Sequence, residues 1–545
     1  MSNLQLPDFL ASCLVSNDEA LHQMVVSGIR MASSFATSEP VKFYETVWDH
    51  IQREDLHDIH IRQALFMAAH PLLVGDTMGA TGMLAGLART NKLARQINGA
   101  TRKLDGLGRY VAHIEELERR NIHFTSGFMG PAENIVVPDN ALTRLLYPRF
   151  AGRNRTRMGS IDMQSVHFQD AVVAMLWDAD GKVRFDHLVL GMTPPNAAGE
   201  MSFGPANGIN SDGLDVALAT PSVKILLYLN PHFPFVLGLN EWARNTIHVE
   251  RLRAAAAEGR LLLVEDDAET PAMPAGSFDK PLPCEMNVAE HLVNHMEAHA
   301  ELVRGRAIQV GIGGTGVQAI RLLKETKWTG REYSEMLDPF TFELFEAGKI
   351  AGSHFIDRDG SRRQLDGRLV CTFTMGEKGN PFYEKISNNP AVAMAPAPYI
   401  VIPEAFYGGL GINNILSIDF QGSVNSAARG RNHYSGIGGG AAIVRGLSRG
   451  GVSYFCMKST HRTPEGKLRS SIFPYLPSGT PVSVIGPDMF GTRDGAQFFL
   501  VTEHGVARIN AQSQSDFIKS IISVADPRFR DWLKHEAQKE FRVAA

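Results

Sequence analysis

The sequence predicts an α/β fold divided into two domains, and three observations lead there. The chain has 545 residues, more than one hydrophobic core usually organises. Short apolar runs bounded by turn residues alternate with longer helix-like stretches, the pattern of strands layered with helices. Between the halves lies Asp266–Pro283 (DDAETPAMPAGSFDKPLP), rich in proline, small and acidic residues, which reads as a linker. The expected organisation is an N-terminal α/β domain over 1–270, a linker over 271–286 and a C-terminal domain over 287–545.

Along the first domain, Val41–Ile51 shows helical apolar spacing after Pro40. The region 62–125 alternates helix-like runs with a small-residue loop, Val74–Gly86, which reads as a surface loop before it reads as a ligand cradle. Ala171–Leu176, Phe185–Gly191 and Val223–Leu229 are expected strands, bounded by turns such as Asp178–Gly181 and Pro194–Gly199. In the second domain a helix is expected over Asn287–Val303. Then come a strand at Ile308–Ile312, a glycine turn, a helix to about Glu325 and a short extended piece ending at Glu335. Val370–Thr374, Ala391–Ile402, Ile415–Phe420, Ser453–Met457 and Phe498–Thr502 read as strands, and Ser515–Ala525 and Phe529–Phe541 as closing helices.

Composition narrows the function. With 44% apolar and 21% charged residues the chain is an ordinary globular protein. A net charge of −4 and a pI near 6.6 argue against nucleic acid or an anionic membrane as partner. No apolar run reaches the length of a membrane span. The start, MSNLQLPDFLASC, lacks a basic region followed by an apolar one, so a cytoplasmic protein is expected. Cys13, Cys284, Cys371 and Cys456 form no CxxC pair, which fits a reducing compartment with neither disulfides nor a metal site.

Several local signals carry chemistry, each beside a plainer reading. Gly311-x-Gly313-x-x-Gly316 follows a strand and opens a helix, as a dinucleotide-binding turn does. The acidic residue expected about 20 positions on has no clean candidate; Glu332 and Glu335 only fall near that spacing. His291, His295 and His299 repeat along one helix but lie beside an apolar stripe, so a partly solvated flank is the better reading than a metal site. Glu335, between Ser334 and Met336, is a solvated carboxylate as readily as a catalytic one. Ser387–Pro390 reads as a turn, and Ser435–Gly440 (SGIGGG) as a backbone-lined loop inside a domain.

The order and spacing of these pieces resemble the acetyl-CoA hydrolase/transferase family, a branch of the class I CoA-transferases with acetate/4-hydroxybutyrate CoA-transferase-like members. IQVGIGG (308–314), REYSEML (331–337), ISNNP (386–390), SIDFQGSVNS (417–426) and SGIGGG (435–440) carry the resemblance. RSSIFPYLPSGTPVSV (469–484), FFLVTEHGVARI (498–509) and SIISVADPRFRDWL (520–533) extend it, so that it covers about 300–535. Upstream, TPPNAAGEMSFG (193–204) and LNPHFPFVLG (229–238) are weaker matches. The chain departs from the family at Asp338-Pro339, at Ser417, at Gly440-Ala441-Ala442, and at SSFATSEP (33–40), which has no glycine.

The resemblance implies two open α/β domains of class I CoA-transferase type with an active-site cleft between them. It implies an acyl-CoA:carboxylate CoA-transferase working through acyl-glutamyl anhydride and glutamyl-CoA thioester intermediates, with Glu335 as nucleophile. Asn388 and the backbone of Gly438 are its implied oxyanion donors. Gly436, Gly438, Gly439 and Gly440 would lie along coenzyme A, with Lys458, Arg431 and Arg445 as the unranked candidates for its phosphates. Acyl-CoA and small carboxylic acids are the implied substrates, with no metal, and a homodimer is the implied assembly. The alternatives are an acyl-CoA hydrolase using the same glutamate and a non-catalytic CoA- or nucleotide-binding protein.

Overall fold

In a computed structural model, described for residues 4–63, 65–67, 70–75, 108–128, 130, 157–158, 161–277, 279–311, 313–429, 432–433, 435–463, 466–510 and 513–544, the chain divides into two compact units. One comprises Met1–Ser165, Ala171–Leu237 and Arg244–Ala272; the other comprises Val166–Asp170, Gly238–Ala243 and Met273–Ala545.

The first unit is built on eight strands: β1 (Arg30–Ser33), β2 (His60–Arg62), β3 (His123–Ser126), β4 (Arg157–Met158), β5 (Ile161–Met163), β6 (His187–Met192), β7 (Lys224–Leu229) and β8 (Leu261–Glu265). Their order is β8-β7-β6-β1-β2-β3-β5-β4. Every pairing is parallel except β4 with β5. A parallel sheet needs crossovers that cover its faces, so central strands are apolar on both sides. β6 is buried along its whole length for this reason. Met31, Ile61, Phe124, Val189 and Leu226 enter the core on one face. Ala32, Leu188, Leu190, Ile225 and Leu227 enter the core on the other. Helix α1 (Val41–Arg53) covers the first face with Phe43, Tyr44, Val47, Trp48 and Ile51, the helical stripe its sequence shows. A helix at 108–119 adds Tyr110, Val111, Ile114 and Leu117 to the same core.

Ala171–Leu176 is a helix rather than the expected strand. Its buried positions, Ala171, Met175 and Leu176, follow a helical period, while Val173 points outward. The Val-Val pair that suggested a strand is overridden by packing. The glycine-free turn SSFATSEP is buried after β1, and Ala36 takes a left-handed φ of 47°, the conformation a glycine would supply more cheaply. The same turn ends in Glu39, whose buried carboxylate faces His70 Nε2 at 3.0 Å and accepts from Gln63 Nε2 at 3.0 Å. The loop reading for Val74–Gly86 lies, beyond residue 75, outside the described residues.

The second unit begins with α2 (Pro283–Ala298), starting four residues earlier than the apolar spacing suggests because Pro283 occupies its first position. Then follow β9 (Ala307–Val310), α3 (Gly314–Glu325), β10 (Arg331–Glu332), β11 (Met336–Leu337), β12 (Leu369–Cys371), β13 (Phe373–Thr374), β14 (Leu410–Asn414), α4 (Gly440–Leu447), β15 (Val452–Cys456), β16 (Gln497–Thr502) and β17 (Gly505–Arg508). Six of these strands form a sheet in the order β10-β9-β14-β15-β16-β17, parallel except for the final pairing. The expected strand Ala391–Ile402 is a strand only over Val392–Met394. Pro396 caps a short helix, Ala397–Ile400, that takes up the remainder.

The glycines of 311–316 are there for close packing. A Cβ on Gly316 would lie 2.9 Å from Gly311 O and 2.9 Å from Val310 Cγ1, and one on Gly313 would lie 2.8 Å from Asn414 Nδ2. Glu332, which ends the next strand, is fully buried and accepts from Val370 N–H at 2.8 Å, so it is turned away from any nucleotide. Both facts replace the dinucleotide reading with a helix packed tightly onto its strand. Gly316→Ala is therefore expected to cost about 1–3 kcal/mol in urea unfolding, as overpacking against backbone does. An unchanged midpoint would refute it.

Candidate active site

The carboxyl edge of a parallel sheet is where open α/β folds collect ligands. In the second unit that edge carries the glycine turn after β9, Glu335 past β10, Asn414 closing β14, Lys458 just past β15 and Glu503 just past β16. Asn414 Nδ2 donates to Gly311 O at 3.2 Å, and Ser459 donates to Glu503 through both N–H and Oγ at 2.8 Å.

Glu335 sits where the chain leaves one sheet for another. Tyr333 N–H still bonds to Ile308 O at 3.1 Å, on the six-stranded sheet. Ser334 N–H has already turned to Val370 O at 3.2 Å, and Glu335 C=O accepts from Thr372 N–H at 3.0 Å. Met336 and Leu337 then pair in parallel with Phe373 and Thr374. Tyr333 anchors the approach: its ring stacks on His354 at 4.6 Å, and its hydroxyl donates to Ile400 O at 2.8 Å. Asp338-Pro339 is a helix start: Asp338 Oδ1 accepts from Thr341 N–H at 2.8 Å, and Pro339 takes the first position of Pro339–Glu346. The backbone of Glu335 is thus tied on both sides.

Its carboxylate meets the glycine loop. Glu335 Oε2 accepts from Gly439 N–H at 2.8 Å. Burial pushes the carboxyl up to about 7 from its ordinary 4.5, and the Gly439 hydrogen bond pulls the other way without cancelling it. Gly439 is the N-cap of α4, so the carboxylate sits at a helix N-terminus, where negative charge is favoured. Ile443 N–H makes the first helical bond, to Gly439 O at 3.0 Å, which leaves the amides of Gly440, Ala441 and Ala442 without helical acceptors. Gly440-Ala441-Ala442, a departure in sequence, is therefore the first turn of a helix.

The loop's glycines differ in what they do. Gly438 has φ 58°, and its carbonyl accepts from Phe168 N–H at 3.0 Å. Gly439 has an ordinary φ, but a Cβ there would collide with Glu335 Oε2 and Val401. A Cβ on Gly440 would meet nothing within 4 Å. Gly436 is buried.

The structure brings Glu335 together with Gly439, and with Gly438 and Gly440 beside it. Asn388 is exposed, at φ 52°, in the turn after helix Phe382–Ile386, and among the described residues no hydrogen bond joins it to Glu335. Lys458 pairs with Glu285 at 2.9 Å on the same carboxyl edge. Arg431 lies outside the described residues. Sequence reasoning missed Thr372, which holds the Glu335 carbonyl, and Val401, which confines Gly439; both lie in apolar or small-residue runs that carry no signal of their own. Of the histidine row, His295 Nδ1 lies 3.0 Å from the Tyr454 hydroxyl, and no trio of metal-ligating residues gathers among the described residues. Among those residues no helix is long and apolar enough to cross a membrane, and the four cysteines are free.

Residues 379–537, which include the glycine loop and α4, match the acetyl-CoA hydrolase/transferase C-terminal domain. That stretch of the chain belongs to the acetyl-CoA hydrolase/transferase family. The chain is 31% identical over 243 residues to a 4-hydroxybutyrate coenzyme A transferase of Clostridium kluyveri, covering 44% of this chain and 52% of that protein. It is 30% identical over 247 residues to a butyryl-CoA:acetate CoA-transferase of Anaerostipes caccae, covering 44% of this chain and 51% of the relative. The matched region thus spans about half the length of these curated relatives. In fold the chain resembles RipA from Yersinia pestis, with a TM-score of 0.67 at 21% identity over 98% of this chain and 99% of the other. It also resembles 4-hydroxybutyrate CoA-transferase from Porphyromonas gingivalis, with a TM-score of 0.61 at 19% identity over 97% and 98%. The fold is α/β, of the CoA-transferase type.

Two outcomes are expected of this geometry. Gly439→Ala should cost about 1–3 kcal/mol in urea unfolding because its methyl has no room beside Glu335, whereas Gly440→Ala, facing open space, should fold as stably as the parent or better. The folded chain keeps the Glu335 proton from about pH 4.5 to 7, where the unfolded chain releases it, so stability falls as pH rises through that window. Glu335→Gln should accordingly raise the melting temperature more at pH 8 than at pH 4.5. Equal shifts at the two pH values would refute the burial penalty.

Proposed function

We propose that the protein is an acyl-CoA:carboxylate CoA-transferase with Glu335 as its nucleophile. The observation that carries this reading is a partly desolvated carboxylate, held by one backbone amide at a helix N-terminus on the carboxyl edge of a parallel sheet. The curated relatives are named for CoA transfer among small acids, which supports the same class.

In this reading a Glu335 oxygen attacks the thioester carbonyl, the C–S bond breaks, and CoA thiolate leaves behind a mixed acyl-glutamyl anhydride. The thiolate then attacks the glutamyl carbonyl and expels the acyl group as a free carboxylate, which leaves a glutamyl-CoA thioester. An incoming carboxylate repeats the two steps in reverse order, departs as the new acyl-CoA and restores Glu335; no net proton is consumed. Dividing one exchange into covalent steps is the general use of such a nucleophile. Each addition makes an oxyanion, which pre-aimed donors stabilise. The amides of the first turn of α4 are suited to this, and by family resemblance Gly438 N–H and the Asn388 side chain share the role.

The glycine loop Gly436–Gly440 would lie along the pantetheine arm, with Lys458 exchanging Glu285 for a CoA phosphate and Arg431 assisting. Acetate, propionate, succinate and hydroxybutyrate are the acid class proposed, and a cytoplasmic homodimer is the proposed working form. The matched domain is named for hydrolysis as well as transfer, and water discharging the same anhydride is the second reading.

The test is CoA exchange from one acyl-CoA donor across a panel of acceptor acids. Transfer should depend on the acceptor and should disappear in Glu335→Gln. Below about pH 7 it should decline as the carboxylate is protonated. Borohydride should trap the glutamyl-CoA thioester on the peptide carrying Glu335. Acceptor-independent release of CoA at full rate would establish the hydrolase instead, and full activity in Glu335→Gln would refute the mechanism.

A further inference from the structure

The amino edge of the same six-stranded sheet carries an open pocket of about 330 Å³. It is formed where the chain enters β14, β15 and β16: Glu404 and Tyr407 precede the first, Arg445 and Arg449 the second, Asp488 and Arg493 the third. Glu335 and the glycine turn stand at the opposite edge, so this cavity is no part of the site already described.

Three arginines, Arg445, Arg449 and Arg493, line it. Among the described residues, none of Arg445, Arg449 and Arg493 makes an ion pair, although the surface elsewhere pairs arginines freely, as Arg119 with Glu116 and Arg253 with Glu250. Arg449 lies over the Tyr407 ring at 5.2 Å. The walls are rigid. Arg493 N–H bonds to Ser448 O at 2.8 Å, Gly408 N–H to Arg449 O at 2.8 Å, and Gly450 N–H to Arg493 O at 3.0 Å. The buttress behind them is Arg306 Nη1, which donates to Gly408 O and Gly450 O, both at 2.6 Å. Two carboxylates line the same space. Asp488 is partly used in accepting from Ile485 N–H at 3.4 Å, and Glu404 makes no side-chain hydrogen bond among the described residues.

Unpaired arginine forks match the tetrahedral oxygens of a phosphate better than a single carboxylate. Free carboxylates beside them select a ligand that also carries donors, and reject a bare anion. A cavity of this size lies at the low end of those that hold small molecules. We propose that the amino-edge cavity binds a small hydroxylated phosphate monoester, its phosphate on Arg445, Arg449 and Arg493 and its hydroxyls on Glu404 and Asp488. It is a site separate from the coenzyme A site. α4 joins the two, with its N-cap on Glu335 and its last turn in this cavity, about 12 Å apart for eight residues.

Isothermal titration of the full chain at constant ionic strength tests the assignment, with ribose 5-phosphate, inorganic phosphate, ribose and coenzyme A as the probes. Ribose 5-phosphate should bind one to one and more tightly than inorganic phosphate, while ribose alone should not bind. Arg445→Ala/Arg493→Ala should weaken the ester at least tenfold and leave coenzyme A binding as it was. Glu404→Gln should weaken the ester but not inorganic phosphate. The substituted side chains are exposed, and circular dichroism checks folding, with Arg445→Gln as the milder variant. Absence of ester binding, equal binding of inorganic phosphate, ester binding that survives the double substitution, or a matching loss of coenzyme A binding would each overturn the proposal.

Discussion

A carboxylate drawn partly out of water needs a partner, and among the described residues Glu335 finds one, the amide of Gly439. That single hydrogen bond ties the chain at the end of β10 to the start of α4, a hundred residues later. The surrounding arrangement serves it. Gly439 has no side chain because none would fit; Thr372 and Val370 fix the backbone from which the carboxylate projects; Tyr333 pins the strand beneath. In the proposed acyl transfer the same burial would strip water from the nucleophile and shield its intermediates.

The six-stranded sheet offers two edges with different chemistry. At the carboxyl edge lie helix N-termini, free amides and glycine turns, all suited to developing negative charge. At the amino edge the strands begin after chain segments rich in arginine, and there positive side chains rather than backbone amides do the corresponding work. α4 spans both edges. The amide that holds Glu335 and the arginine Arg445 of the amino-edge pocket therefore lie at the two ends of one short helix.

Reading from sequence succeeded where local pattern and tertiary demand coincide. The runs that form β6, β7, β15 and β16 are largely apolar because a parallel sheet is covered on both faces, and α1 shows its buried stripe openly. Reading failed where they diverge. Ala171–Leu176 holds β-branched residues but is helical because its buried positions repeat every four. Ala391–Ile402 looks like one apolar run, yet prolines divide it. The triple-glycine run reads as a loop, and in the fold its last glycine begins a helix.

Residue identity and order determined by themselves the α/β class, and that Glu335 would follow a strand, glycine turn and helix. These features are encoded by neighbours in the chain, where apolar spacing, turn residues and motif order leave their mark. Only the tertiary structure decided which glycine touches the carboxylate, that Glu332 is spent on Val370, and that Lys458 is held by Glu285. Only the fold, likewise, gathers Arg445, Arg449 and Arg493 at one edge. Each of those outcomes depends on atoms brought together from distant segments, within a few ångströms and in a set direction, and no local pattern of residues records such a distance.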